Sequence, residues 1–110
     1  MTNLTIREDR PTEGVVEIAP VGEIDMETAP DVRDVINRVL VAERPQEIRL
    51  NMRLVSFIDS VGISVLVAGF QAAGIGGAKL KVTEPSTVVH RQLWVTGLHG
   101  LFGAPAPALA

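Results

Sequence analysis

The feature that most limits the fold of this chain is a change of hydrophobic period between Ile48 and Phe70. In "IRLNMRLVSFIDSVGISVLV", Ile48, Leu50 and Met52 alternate as on a strand with one buried face, and the apolar residues Leu54, Val55, Phe57 and Ile58 follow. From Ser60 onward, Ile63, Leu66, Val67 and Phe70 recur at helical spacing. The switch predicts a strand that runs into a buried connection and then an amphipathic helix. Asp59-Ser60 stands at the junction, and Gly74 is placed to end the helix.

The same alternation of types extends along the chain. "LTIRED" and "GVVEIAPVGEI" read as a hairpin with Gly14 at its turn and Val15, Val16, Ile18 and Val21 as a β-branched run. In "TAPDVRDVINRVLVAE", Val32, Val35, Ile36, Val39 and Leu40 fall at helical spacing. Pro30 suits the first turn, where its missing N–H costs nothing, Asp31 and Asp34 complement the positive end of the helix dipole, and Pro45 fits the exit. "AKLKVTE" alternates Leu80 and Val82 with lysines, and Pro85-Ser86 signals the cap of a third helix through Val89, Leu93 and Trp94 to about Gly97. The predicted order is strand, strand, helix, strand, helix, strand, helix. That order implies an α/β fold with parallel strands and right-handed crossovers, whose strand carboxyl ends are the usual place for a site. The loop from Phe57 to Ser60 lies at such an end.

With 110 residues, 46% of them hydrophobic and 21% charged, the chain can bury a core as one domain. We expect that domain over residues 1–103 and a disordered, charge-free Pro/Ala-rich tail over 104–110. There is no internal repeat. The absence of cysteine removes disulfides and thiolate zinc sites and points to a reducing, cytoplasmic setting. Charges interrupt the first residues where an export signal would be apolar, and no apolar run approaches a membrane span. Lys and Arg number 10 against 13 Asp and Glu, a net charge of -3. With no basic stripe or aromatic platform, a direct nucleic-acid partner is not expected.

Few residues offer chemistry. Ser60 has two readings: a helix cap whose oxygen accepts a free backbone N–H, or a phosphoacceptor at a helix end that tolerates negative charge. A serine hydrolase is not supported, because "GISVL" lacks the second glycine of a nucleophile elbow and His90 falls among polar neighbours on a predicted helix. His90 and His99, without cysteine or a ligand-spaced carboxylate, make no metal site. "GIGG" at Gly74 to Gly77 follows a helix and precedes a strand, the reverse of a phosphate-binding loop, and reads as a turn, so no cofactor is expected. Glu23 and Asp25 could form a carboxylate pair, but a loop in which Asp25 accepts nearby backbone N–H groups is the simpler reading. Trp94 is expected in the core or at its hydrophobic edge, Ser56 buried in the apolar run, and Ser86 as a cap.

Three stretches, "VGEIDMETAPDV", "IRLNMRLVSFIDSVGISVLV" and "VVHRQLWVTGLHGLF", together resemble the STAS domain family, the module shared by sulfate transporters and anti-sigma factor antagonists. The middle stretch is the most specific, with Asp59, Ser60 and Gly62 at the head of a helix. The resemblance implies a mixed sheet of four to five strands packed with about three to four helices. It also implies a non-enzymatic partner-switching protein with no catalytic residue. Unphosphorylated, such a protein binds an anti-sigma factor with serine kinase activity and frees the sigma factor. Phosphorylation, matched here to Ser60, releases the kinase, and a serine phosphatase resets the cycle. The partner-binding residues implied are Asp25, Asp59, Ser60, Val61 and Gly62, and the expected state is a monomer or weak dimer. Two departures stand out: Val61 lacks the second hydroxyl many antagonists carry, and Asn51 replaces a frequent aspartate. The alternatives are a STAS subunit docked on a membrane transport complex and a scaffold in a stress-signalling assembly.

Overall fold

A computed structural model describes residues 3–103, so the tail expected at 104–110 lies outside the described residues. Strands β1 (Leu4–Thr12) and β2 (Val15–Ile24) form the expected antiparallel hairpin, in register from Leu4 opposite Gly22 to Asp9 opposite Glu17. Gly14 makes the turn at φ +80°, a conformation that favours glycine. Along β2 the alternation holds, with Val16, Ile18 and Ile24 facing the core.

Helix α1 (Ala29–Glu43) buries Ala29, Val32, Ile36 and Val39, and Pro30 occupies its first turn. Of the two aspartates expected near the dipole's positive end, Asp31 is in that turn and Asp34 is beyond it. Strand β3 (Glu47–Asn51) runs parallel to β2, and β5 (Lys79–Thr83) runs parallel to β3, which gives the order β1-β2-β3-β5.

The expected buried connection after Met52 is instead a strand, β4 (Val55–Ile58), parallel to the last residues of β2. Each of β3 and β4 takes part of β2: Val15 to Ile18 pair with β3, and Gly22 to Ile24 pair with β4. Pro20 sits in the gap between them, where neither partner requires its missing N–H. Leu54 and Phe57, expected inside, are 42% and 44% exposed. Phe57 shares its side of the sheet with Glu23, opposite the side on which the neighbouring pair Ile24 and Ile58 is buried.

Helix α2 (Ser60–Ile75) buries Gly62, Ile63, Leu66, Gly69 and Ala73. It runs through Gly74 and stops at Gly76, followed by Gly77 at φ +79°, so the stop lies later in "GIGG" than expected. Helix α3 (Thr87–Val95) is capped by Ser86, whose Oγ accepts the Val89 N–H at 3.3 Å. Trp94 lies at the edge, stacked on His99 with ring centroids 4.2 Å apart. Beyond α3, Phe102 is buried edge-on against Phe70, and its carbonyl accepts the Val82 N–H at 3.0 Å. The buried side chains form one cluster between the helices and one face of the sheet. Each fully buried Leu or Ile there contributes about 1.5–3 kcal/mol of transfer free energy.

Candidate functional site

Strands β2 and β4 end side by side. Ile24 and Ile58 are in register, so Asp25 and Asp59 leave the sheet as neighbours, and the Asp59 N–H donates to the Ile24 carbonyl at 3.2 Å. These two acidic residues therefore open two adjoining turns, one leading to α1 and the other to α2.

In the first turn, Asp25 Oδ1 accepts the N–H groups of Glu27 at 2.9 Å and Thr28 at 3.0 Å. The Thr28 hydroxyl accepts the Asp25 N–H at 2.9 Å and donates to the Glu23 carbonyl at 2.8 Å. The Thr28 backbone N–H, outweighing partial desolvation and assisted by Glu27, holds the Asp25 carboxyl below its ordinary range. Asp25 is thus a charged fixture of its own loop.

In the second turn, Asp59 is the helix cap: it is extended, and its Oδ1 accepts the Gly62 N–H at 3.0 Å. The cap role weighed for Ser60 belongs to its neighbour. Ser60 is the first residue of α2 and is exposed, and its hydroxyl makes no hydrogen bond among the described residues. The nearby serines differ. Ser56, expected buried, is exposed and donates to the Gly22 carbonyl at 3.3 Å, while Ser64 donates to the Ser60 carbonyl at 2.9 Å.

Gly62, expected at the contact surface, is buried beneath it. A Cβ there would lie 2.7 Å from Ile58 Cγ1 and 2.9 Å from Ile24 Cγ2, so only glycine lets the first turn of α2 settle onto the strand ends. Val61 is 39% exposed, and two residues that sequence reasoning left out of the site, Met26 and Phe57, are 70% and 44% exposed. Met26 follows Asp25, and Phe57 pairs in register with Glu23. Hydropathy alone could not find them, because it does not tell which apolar residues the fold leaves exposed. Asn51 has a local role: its amide donates to Glu84 Oε2 at 2.9 Å and its side-chain carbonyl accepts the Arg53 N–H at 3.1 Å. No helix among the described residues is long and apolar enough to cross a membrane.

A short parallel strand thus delivers an aspartate-capped, serine-led helix beside a second acidic turn. The sequence pattern of the STAS domain family matches residues 7–108, and the chain belongs to that family. It is 31% identical to the anti-sigma-B factor antagonist of Bacillus subtilis (strain 168), over 86% of this chain and 84% of that protein. The structure of an anti-sigma factor antagonist from Mycobacterium paratuberculosis matches at a TM-score of 0.80 and 30% identity, over 96% of this chain and 87% of that one. The fold is also that of the anti-sigma factor antagonist SpoIIAA in its unphosphorylated form, at a TM-score of 0.78 and 20% identity over 94% and 89% of the two chains.

Proposed function

We propose that this STAS protein is an anti-sigma factor antagonist. It works in the cytoplasm without catalysis of its own, binds an anti-sigma factor that is also a serine kinase, and is released when that kinase phosphorylates Ser60. The antagonist role is supported by the relatives named above, two of which exceed 30% identity or reach it over most of the chain. SpoIIAA, of the same fold, has a structure described as its phosphorylated form.

The observation that carries the choice of Ser60 is the division of labour with Asp59. Because Asp59 supplies the cap, the Ser60 hydroxyl is free to enter a kinase active site without undoing the helix start. A phosphate placed there adds about -1.5 to -2 charges at the positive end of α2, which the fold tolerates. Beside Asp25 and Asp59 it creates a dense negative patch that a docked partner must accommodate without water. An uncompensated loss of only about 1.4 kcal/mol lowers affinity about tenfold. Met26, Phe57 and Val61 supply the exposed apolar contacts around this acidic centre, and Gly62 holds the centre in place. A serine phosphatase restores the unphosphorylated form.

The test is retention from a lysate of the source cell by wild type, Ser60→Ala and Ser60→Asp baits, with phosphate located by mass spectrometry after incubation with ATP. The expected result is an ATP-binding serine kinase held by wild type and Ser60→Ala, lost by Ser60→Asp, and a phosphate on Ser60 only. Equal retention by all three removes the switch, and retention of transporter subunits by all three makes the domain a docking subunit.

A further inference from the structure

The sheet has a face that the helices leave uncovered. In-register partners across the sheet point to the same side, and one such row runs Asp9, Glu17, Arg49, Lys81. Along their strands, the last three alternate with core-facing neighbours: Val16 and Ile18, Ile48 and Leu50, Leu80 and Val82. This row therefore lies on the outer face and reads acid, acid, base, base across β1, β2, β3 and β5. Two of its three neighbouring pairs, Asp9 with Glu17 and Arg49 with Lys81, are like charges directly opposite each other, an arrangement that destabilises a sheet. Among the described residues, Arg49 and Lys81 share a single carboxylate, Glu47, at 2.5 and 3.3 Å. Glu17 forms no ion pair or side-chain hydrogen bond among the described residues.

We propose that this face is the interface of a homodimer in which a second copy of the chain stacks sheet on sheet about a two-fold axis parallel to the strands, between β2 and β3. That axis exchanges β1 with β5 and β2 with β3. It sets Asp9 of one copy over Lys81 of the other and Glu17 over Arg49, so each charge that is crowded by its like within one chain meets its opposite in the partner. A two-fold axis across the strands would place each residue of the row over its own copy, like on like, so the charge pattern selects the first arrangement. The strand axes of the two sheets then lie nearly aligned, as in aligned sheet packing.

The footprint is small. Four strands span about 14 Å between outer axes and five residues about 17 Å, which places the contact at the low end of interface size and makes it concentration- and salt-dependent. Glu17 is also about 23 Å along β2 from Ile24, at whose end the Ser60 turn sits. Phe57 lies on this same face, but it is in register with Glu23, about 20 Å along β2 from Glu17 and beyond the five-residue footprint. The dimer therefore leaves both Ser60 turns open, and this inference stands apart from the phosphorylation reading.

The experiment is sedimentation velocity of the full chain up to about 0.5 mM, in about 50 mM and about 500 mM NaCl. It compares wild type, Glu17→Arg, Arg49→Glu, an equimolar mixture of those two variants, and Ser60→Asp. Wild type is expected to dimerise at low salt and to dissociate at high salt. Each charge reversal alone should raise the dimer dissociation constant at least tenfold. The mixture should recover the dimer, because the two reversed side chains, one from each variant, then face each other with opposite charge, and the unaltered Arg49 and Glu17 form the second pair. Ser60→Asp should behave as wild type. Recovery in the mixture also shows that both variants are folded. A wild type that remains monomeric at low salt overturns the proposal, as does a dimer indifferent to either reversal or a mixture that fails to recover.

Discussion

The Asp59 carboxylate accepts the Gly62 N–H at 3.0 Å, so the helix is capped by the residue before Ser60 and the serine hydroxyl is left uncommitted. Removing the cap and removing the hydroxyl should therefore have different costs. Asp59→Ala is expected to lower stability by about 1 kcal/mol, and Asp59→Asn, which keeps an acceptor, by much less. Ser60→Ala should stay within about 0.5 kcal/mol of wild type. Urea unfolding of the three variants measures this, and a Ser60→Ala loss as large as that of Asp59→Ala would return the cap to Ser60.

Gly62 and Gly74 both lie within α2, in opposite surroundings. An added Cβ at Gly62 meets Ile58 Cγ1 at 2.7 Å, Ile24 Cγ2 at 2.9 Å and the Ile24 carbonyl at 3.1 Å, whereas at Gly74 it meets nothing within 4 Å. Gly62→Ala should destabilise by about 1–3 kcal/mol. Gly74→Ala should stabilise by about 0.5–1 kcal/mol through helix propensity. Thermal unfolding of both distinguishes the steric effect from the conformational one, and a neutral Gly62→Ala would mean that the strand ends can yield.

Thr28 is the one buried polar side chain among the described core residues, 3% exposed, and it ties the Asp25 turn together by accepting from Asp25 and donating to Glu23. Thr28→Val keeps the shape and leaves a donor and an acceptor unpaired, which should cost about 2 kcal/mol. Hydrogen exchange should report faster opening at the Asp25 and Ala29 amides in this variant, while Thr28→Ser should remain close to wild type.

Acid should weaken the protein through four carboxyls held below their usual range. Glu8 is lowered first by its hydrogen bond to Arg38, Glu43 by Arg10, Glu47 by Arg49, and Asp25 by the Thr28 N–H. A carboxyl with a folded pKa below its unfolded value binds fewer protons when folded. Its contribution is present above the unfolded value of 4.5 for Glu or 3.8 for Asp and is lost as pH falls through the folded one. The melting temperature should thus be nearly level from about pH 5 to 7 and decline below about pH 4.5. Glu8→Gln should show a shallower decline, and a slope equal to that of wild type would show that the Glu8 ion pairs contribute nothing. The exposed arginine partners keep each effect small.

Much of the fold was legible in the sequence because period is a local property. The hairpin around Gly14, the apolar stripe of α1 and the strand at Leu80 and Val82 each follow from side-chain spacing that neighbouring residues enforce. The junction at Asp59-Ser60 was visible as a change of period, and the acidic loop at Asp25 as Glu23 and Asp25 set between the hairpin and the first helix. Resemblance, rather than spacing, connected the two.

What the sequence by itself determined is every element except β4, the order of those elements and the placing of a serine and an aspartate at the head of a helix. Tertiary structure decided the rest. That Val55 to Ile58 form a separate strand depends on the half of β2 left unpaired beyond Pro20, a vacancy created by residues far away in the chain. That Asp59 rather than Ser60 is the cap depends on where the first turn of α2 comes to rest, which the contact of Gly62 with Ile24 and Ile58 fixes. The row of two acids and two bases on the open sheet face exists only once β1, β2, β3 and β5 are in register. Local periodicity specifies which face of an element is apolar, whereas partners and register are set by long-range packing, and through them the chemical identity of the site.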